Sequence, residues 1–171
     1  MTKTIASLIV AVFAMSLNCA VGDPVRFPDV GQSLSLDAGD VTLNASLLLP
    51  EGDGPFPAIV GMVGSGGYTY RDAWIEGHWA FWKELSEVFV EQRIALLLLD
   101  KRGVAGSEGS WKTRTLQERA ADALVAVRYL GQRDDIDAAR IGVTGQSQGG
   151  WVAQIAAALA PDDISFVSGM V

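Results

Sequence analysis

The sequence predicts an α/β fold in which a mostly parallel β-sheet is flanked by helices. Two continuous apolar runs, AIVGMV at 58–63 and IALLLL at 94–99, are short and are typical of strands covered on both faces. Segments with helical spacing of apolar residues alternate with these runs, and glycine-rich or charged turns separate them. This alternation implies parallel strands joined by right-handed crossovers through helices.

A pair of antiparallel strands is predicted before the first crossover. The segments SLSLDAG and VTLNASLLLP have the composition of short strands, and a turn at Ala38, Gly39 and Asp40 joins them. The loop EGDGPFP then leads into the apolar run at 58–63, which ends at Gly64.

Helices are predicted from apolar spacing and from one capping signal. Residues 79–92 carry apolar side chains at helical spacing, and Thr115 with Glu118 predicts a capping box at the start of a second helix. The remaining signals are a strand at 140–144, a third helix at 147–160 and the start of a further strand at 164–171.

Composition indicates one globular domain and excludes some classes of partner. The chain has 171 residues, of which 49% are hydrophobic and 19% charged, a balance that favours a folded core over disorder. Its formal net charge of −7, with basic residues that form no run, argues against binding to nucleic acid or to an anionic membrane surface.

The N-terminus has the pattern of a secretory signal peptide. Lys3 precedes an apolar run at 5–17, which is shorter than the roughly 20 residues of a membrane-spanning helix, and small residues follow. We therefore expect residues 1–20 to be a signal peptide, residues 21–171 to belong to an exported (periplasmic or extracellular) domain, and no transmembrane span. A buried N-terminal helix is the alternative. Lipid attachment at Cys19 is a further option, although the residues before it fit a lipobox poorly.

Three loops of unusual composition are expected at one edge of the sheet. They are GSGG at 64–67, DKRG at 100–103 and GQSQG at 145–149, and each follows a predicted strand. Because the carboxyl ends of parallel strands lie on the same edge, these loops should form the functional site.

Ser147 is the candidate nucleophile of this site. It lies at a predicted sharp turn from strand to helix, where a strained backbone would expose the hydroxyl group. Gly145 and Gly149, two positions to either side, would avoid steric clashes at such a turn. The alternative is a serine that only caps the helix.

The first loop is the candidate oxyanion hole. One donor would be the backbone N–H of Gln148, directly after the serine, and the second would come from Ser65 or its neighbour Gly66. The alternative is a phosphate-binding loop, but Thr69 stands where the third glycine of the dinucleotide motif would be.

Asp100 has two interpretations. It could be a catalytic acid at the end of a strand, but the following Arg102 and the tight glycines favour a structural turn.

These motifs together resemble the α/β-hydrolase superfamily. The resemblance rests on Gly64-Ser65-Gly66 with Arg71-Asp72, on the DKRG turn and on the G-x-S-x-G motif at 145–149. It is closest to a secreted bacterial branch of serine hydrolases and esterases, related to dienelactone-hydrolase-like and serine aminopeptidase-like proteins. Gln148 stands where many relatives carry glutamate. The resemblance implies an α/β-hydrolase fold, of which residues 21–171 would be the N-terminal part, through about the sixth strand.

The resemblance also implies an activity. An exported serine hydrolase would cleave small carboxylic esters through an acyl-enzyme on Ser147, with no metal and no organic cofactor. A serine peptidase of the aminopeptidase or prolyl-oligopeptidase kind shares every motif quoted. A non-catalytic binding protein on a shortened hydrolase fold is the alternative from another class.

The base expected for Ser147 is not found among these residues. The family order is nucleophile, acid and then histidine, whereas the single histidine, His78, precedes the serine. Asp162 and Asp163 follow the serine but lie at a predicted helix end, where the family places no acid. We therefore expect the acid and the histidine after Val171, with a catalytic role for His78 as the less favoured possibility.

Overall fold

The computed structural model describes residues 31–72 and 78–170. The strands are β1 (Gln32–Asp37), β2 (Thr42–Leu48), β3 (Phe56–Met62), β4 (Ala95–Leu99), β5 (Ile136–Gln146) and β6 (Phe166–Met170). The helices are α1 (His78–Glu91), α2 (Leu116–Gly131) and α3 (Gln148–Leu159). This order confirms the predicted alternation of a strand pair with β-α-β crossovers.

One mixed sheet contains all the described strands. Its six strands are ordered β1-β2-β4-β3-β5-β6, with β1, β2 and β4 paired antiparallel and the pairs β4/β3, β3/β5 and β5/β6 parallel. The predicted mostly parallel sheet flanked by helices is therefore confirmed. β5 begins earlier than the sequence indicated, because Ile136 pairs with Phe56 before an irregularity in the ladder.

The central strands are buried on both faces, as their apolar runs predicted. Val60 and Leu97 contribute to a large core with the apolar sides of α2 and α3. Leu96 and Leu98 point to the opposite face, where Trp82 of α1 packs in a smaller core. Alternate residues of one strand thus enter different cores.

The start of α2 is fixed by the predicted capping box. The Thr115 side chain accepts a hydrogen bond from the Glu118 backbone N–H, and the Glu118 carboxylate accepts one from the Thr115 backbone N–H. These two bonds satisfy donors that a helix N-terminus otherwise leaves unpaired.

The predicted signal peptide at 1–20, including Cys19, lies outside the described residues. Among the helices that the structure describes, none is long and apolar enough to cross a membrane.

Candidate active site

The first and third predicted loops meet at the carboxyl edge of the sheet. β3 and β5 are parallel neighbours, with Met62 opposite Gly145 at their ends. A Cβ atom built on Gly64 would lie 3.3 Å from the Cβ of Ser147 and 3.2 Å from the carbonyl oxygen of Gln146. The loops after β3 and β5 therefore approach closely, and a side chain at Gly64 would be tighter than ordinary van der Waals contact.

Ser147 has the strained backbone that the sequence predicted. It joins β5 to α3 with φ 52° and ψ −123°, in a region that residues other than glycine rarely occupy. Its side chain makes no capping hydrogen bond to α3, and the residue is exposed. The alternative of a serine that only caps the helix is therefore not what the structure contains.

The glycines on either side of the serine are sterically required. A Cβ on Gly145 would lie 2.1 Å from the carbonyl carbon of Gly149, and a Cβ on Gly149 would lie 2.4 Å from the carbonyl oxygen of Met62. Neither position could hold a side chain without movement of the backbone. The two glycines thus allow the tight turn at Ser147.

The candidate oxyanion-hole residues share one cleft. Ser65 and Gly66 of the first loop and Gln148 of the third line it together. Gly66 has φ +93°, a conformation that favours glycine. The phenol of Tyr68 lies close to Gly64 of the same loop, since a Cβ on Gly64 would lie 2.9 Å from the Tyr68 hydroxyl oxygen. The structure therefore brings the predicted donor segments to one cleft; their role as an oxyanion hole stays a prediction.

Asp100 belongs to the framework beneath these loops. It is buried and forms an ion pair with Arg71. The neighbouring Arg102 donates from Nε and Nη2 to the Asp122 carboxylate of α2 and from Nη1 to Asp40. These contacts agree with the structural interpretation of the DKRG turn.

Two cations hold the site loops: Lys101 of the DKRG turn, for which the sequence predicted no role, and Arg119, which it did not single out. Lys101 donates from Nζ to the carbonyl oxygen of Gly64 at 2.8 Å. Arg119 of α2 donates to the side-chain oxygen of Gln148 and, at 3.1 Å, to the carbonyl oxygen of Val63. They connect the loops after β3, β4 and β5 through hydrogen bonds to neutral oxygens.

The charge of Lys101 is disfavoured by its surroundings. Burial, followed by the positive charge of Arg119, lowers the pKa of Lys101 to about 7, although Asp100 and Asp72 act in the opposite direction. The Tyr68 ring, whose centre lies 4.3 Å from the ammonium group, favours the charged form instead, as a cation–π partner. The pKa of Lys101 therefore lies close to neutral pH.

Cations dominate the cleft that Ser65, Gly66 and Gln148 line. Its volume is about 170 Å³, and its other lining residues are Lys101, Trp111, Lys112, Arg114 and Arg119. The basic residues come from separate segments, so no run in the sequence marked them.

His78 is the first residue of α1, but the position of its side chain lies outside the described residues. Residues 73–77, which precede it, also lie outside.

Comparison with known proteins identifies a matching family. A sequence profile of the family described as "X-Pro dipeptidyl-peptidase (S15 family)" matches residues 38–170, which include all three site loops. Esterase EstD of Thermotoga maritima is 29% identical over 127 residues, which cover 72% of this chain and 30% of the esterase.

Solved structures share the fold. Est1E from Butyrivibrio proteoclasticus, in its complex with ferulic acid, superimposes with a TM-score of 0.65 at 26% identity, covering 78% of this chain and 50% of Est1E. The α/β hydrolase GrgF from Penicillium sp. sh18 gives a TM-score of 0.68 at 22% identity, covering 81% of this chain and 44% of GrgF. The chain thus spans half or less of the length of these relatives.

Proposed function

Since the chain belongs to the X-Pro dipeptidyl-peptidase (S15) family and has the α/β-hydrolase fold, we propose that the whole protein is a serine hydrolase that cleaves small carboxylic esters. The observation that carries this proposal is the backbone of Ser147, at φ 52° between β5 and α3. A strained serine at this position serves acyl transfer, because the turn exposes its hydroxyl group at the edge of the sheet.

In the proposed mechanism, Ser147 Oγ attacks the acyl carbon and gives its proton to a general base. The negative charge on the former carbonyl oxygen is stabilised by the backbone N–H of Gln148 and by a second donor from Ser65 or Gly66. The alcohol leaves with a proton from the protonated base, and an acyl-enzyme remains. Water then attacks the acyl carbon and releases the acid and Ser147. We assign the base and its acid partner to parts of the whole protein outside residues 31–170.

Two observations favour esters over peptides as substrates. The curated relative is an esterase. In addition, a dipeptidyl-peptidase must bind the free N-terminal ammonium group of its substrate, and the cleft beside Ser147 is lined by Lys101, Lys112, Arg114 and Arg119. Like charges repel, so these residues disfavour an ammonium group at this point.

A serine peptidase is the second candidate, and the family match favours it. A non-catalytic binding role is less well supported, because a fold without catalysis would gain nothing from the strain at Ser147. We also propose export, based on the signal pattern at 1–20. A mature protein whose N-terminus is Met1 would contradict export.

The nucleophile can be tested with a fluorophosphonate probe, which reacts with activated serines. We expect the whole protein to be labelled at Ser147, as located by mass spectrometry of the digested adduct, and the Ser147→Ala variant to remain unlabelled. Ser168 of β6 offers a matched control, and Ser168→Ala should leave labelling unchanged. Labelling that survives in Ser147→Ala would assign the reactivity to another residue.

The same preparation distinguishes esterase from peptidase. We expect hydrolysis of short-chain 4-nitrophenyl esters to exceed hydrolysis of aminoacyl 4-nitroanilides, measured as kcat/KM. Activity confined to the anilides would instead assign a peptidase.

A further inference from the structure

The cleft beside Ser147 concentrates positive charge from three segments of the chain. Lys101 follows β4, Lys112 and Arg114 precede α2, and Arg119 lies in α2. Among the described residues that line this cleft, none is an aspartate or a glutamate. The charge of this lining is therefore opposite in sign to the formal net charge of −7 of the chain.

The two inner cations are not neutralised by their hydrogen bonds. Within the described part of the chain, Lys101 donates to the carbonyl oxygen of Gly64, and Arg119 to the carbonyl oxygen of Val63 and the amide oxygen of Gln148. All three acceptors are uncharged.

Lys101 and Arg119 are both half-buried. Asp100 and Asp72 favour the charge of Lys101 and Asp122 favours that of Arg119, but burial outweighs them and lowers the pKa of both groups. An anion beside them would therefore favour their charged forms.

The two outer cations, Arg114 and Lys112, differ in how many of their donor groups already have a partner. Arg114 forms an ion pair with Glu118 at 3.0 Å, but its Nε is buried and has no hydrogen-bond partner in the described structure. Lys112 is exposed, and its backbone N–H, rather than its ammonium group, donates to the hydroxyl of Ser110. Arg114 thus already has carboxylate partners, Glu118 and, at 4.0 Å, Asp122, whereas no ion pair of Lys112 is found among the described residues.

The effect of Arg119 on the pKa of Lys101 also indicates that an anion would be favourable in this cleft. After burial, the positive charge of Arg119 contributes to the lowered pKa of Lys101, while Asp100 and Asp72 act against it. An anion between Lys101 and Arg119 would attract both cations and favour the protonated lysine.

The cleft also lies at the right place for a substrate group. Ser65, Gly66 and Gln148 form both its wall and the candidate oxyanion hole. Gln148 directly follows Ser147 in the chain, so a group bound there would contact the neighbour of the candidate nucleophile. The cleft volume of about 170 Å³ suits a small group rather than a long chain.

We propose that this cleft binds a carboxylate of the substrate, so that the hydrolase acts on esters that carry a free carboxylate near the scissile bond. The proposal rests on the hydrolase function proposed for Ser147. Arg119, Arg114 and the two lysines would supply charge-assisted hydrogen bonds to the carboxylate.

Binding can be measured without catalysis in the Ser147→Ala variant of the whole protein. Glutarate and its uncharged analogue glutaramide are the probes, at matched ionic strength, and the melting temperature is the readout. A ligand that binds only the folded state raises the melting temperature with its concentration. We expect glutarate to raise it and glutaramide not to, and equal behaviour of the two would overturn the proposal.

Lys112→Glu tests whether the charge of the cleft is responsible. Lys112 is exposed, so the variant should fold, and replacing an attraction by a repulsion should raise the apparent Kd for glutarate about threefold to tenfold. Lys83→Glu is the matched control, because Lys83 is an exposed lysine of α1 outside the cleft lining. Equal effects of the two variants would contradict the proposal.

Gln148→Glu offers a second test within the Ser147→Ala background. The new carboxylate would lie beside the Arg119 guanidinium, which now binds the Gln148 amide oxygen. It should compete with glutarate and weaken its binding, whereas unchanged binding would exclude Arg119 from the anion site.

A comparison of kcat/KM for two esters tests whether the cleft also determines which substrate is hydrolysed. In the protein with intact Ser147, kcat/KM for 4-nitrophenyl hydrogen glutarate should exceed that for 4-nitrophenyl butyrate, and Lys112→Glu should lower this ratio. Labelling of Ser147 without glutarate binding would overturn the cleft proposal alone. Glutarate binding without labelling of Ser147 would overturn the hydrolase function instead.

Discussion

Ser147 occupies its backbone conformation because its neighbours leave no other. A residue with a side chain at positive φ in this region costs on the order of 1–3 kcal/mol, and the surrounding structure must supply that energy. The backbones approach closely around it, since an added Cβ on Gly149 would lie 2.4 Å from the carbonyl oxygen of Met62 and one on Gly145 would lie 2.1 Å from the carbonyl carbon of Gly149. The strain at one residue is thus maintained by contacts that only glycine permits.

Gly145→Ala tests this dependence. The added methyl group would lie 2.1 Å from the Gly149 carbonyl carbon, so the turn must open. We expect a loss of about 1–3 kcal/mol in the free energy of unfolding, measured in urea. The rate of fluorophosphonate labelling at Ser147 should fall on the order of 100-fold, because small displacements of a reacting group have large effects.

Gly131→Ala is the matched control for a glycine without such a contact. A Cβ on Gly131 would lie 3.7 Å from its nearest neighbour, Ile141 Cδ1, which is an ordinary distance. Because alanine favours the helix, the variant should be as stable as the parent or up to about 1 kcal/mol more stable. A loss equal to that of Gly145→Ala would show that the turn is not specially constrained.

Among the helices and strands, the features that could be predicted from the sequence are those whose physical cause is local. The capping box at Thr115 and Glu118 forms within one turn of helix, so its residues are readable from their spacing. The buried strands β3 and β4 could also be predicted, because burial on both faces requires a continuous apolar sequence. The turn at Ser147 was predictable for the same reason, since glycines at fixed offsets mark it.

The cationic cleft was not predictable, because it depends on contacts between distant segments. Lys101 and Arg119 are separated by the loop at 102–115 and the first turn of α2, and only the packing of α2 against the sheet brings them to the same loops. The early start of β5 has a similar origin, because Ile136 joins the strand through its pairing with Phe56. Neither feature has a short-range pattern that sequence alone could indicate.

At the scale of the whole molecule, the described residues cover the two faces of the sheet unequally. One face packs against α2 and α3 in an extensive core, whereas the opposite face has a small core centred on Trp82. Val63 and Tyr70, which flank the first site loop, belong to this smaller core. The loop therefore depends on the less extensive of the two cores.

Trp82→Ala should consequently affect both stability and reactivity. Removal of a fully buried tryptophan is expected to cost about 3–5 kcal/mol in the free energy of unfolding, measured in urea. Because Val63 and Tyr70 lose their packing partner, labelling of Ser147 under native conditions should also slow.

Leu130→Ala separates the two effects. Leu130 is fully buried in the larger core, on the face away from Trp82, and its truncation should cost about 2–5 kcal/mol. Labelling of the folded fraction should remain at the parental rate. A parallel loss of labelling in both variants would argue against a special dependence on the smaller core.

The position of β3 between β4 and β5 also determines when the site can form. Ile59 pairs with Leu96 on one side and with Gly142 on the other, so β3 joins partners that the ribosome makes much later. Pairings of such separation close slowly, because the entropy of long loops must be lost first. A newly synthesised chain therefore carries an ordinary, relaxed serine until β5 docks on β3. Assembly of the sheet and exposure of the strained hydroxyl group are then a single event.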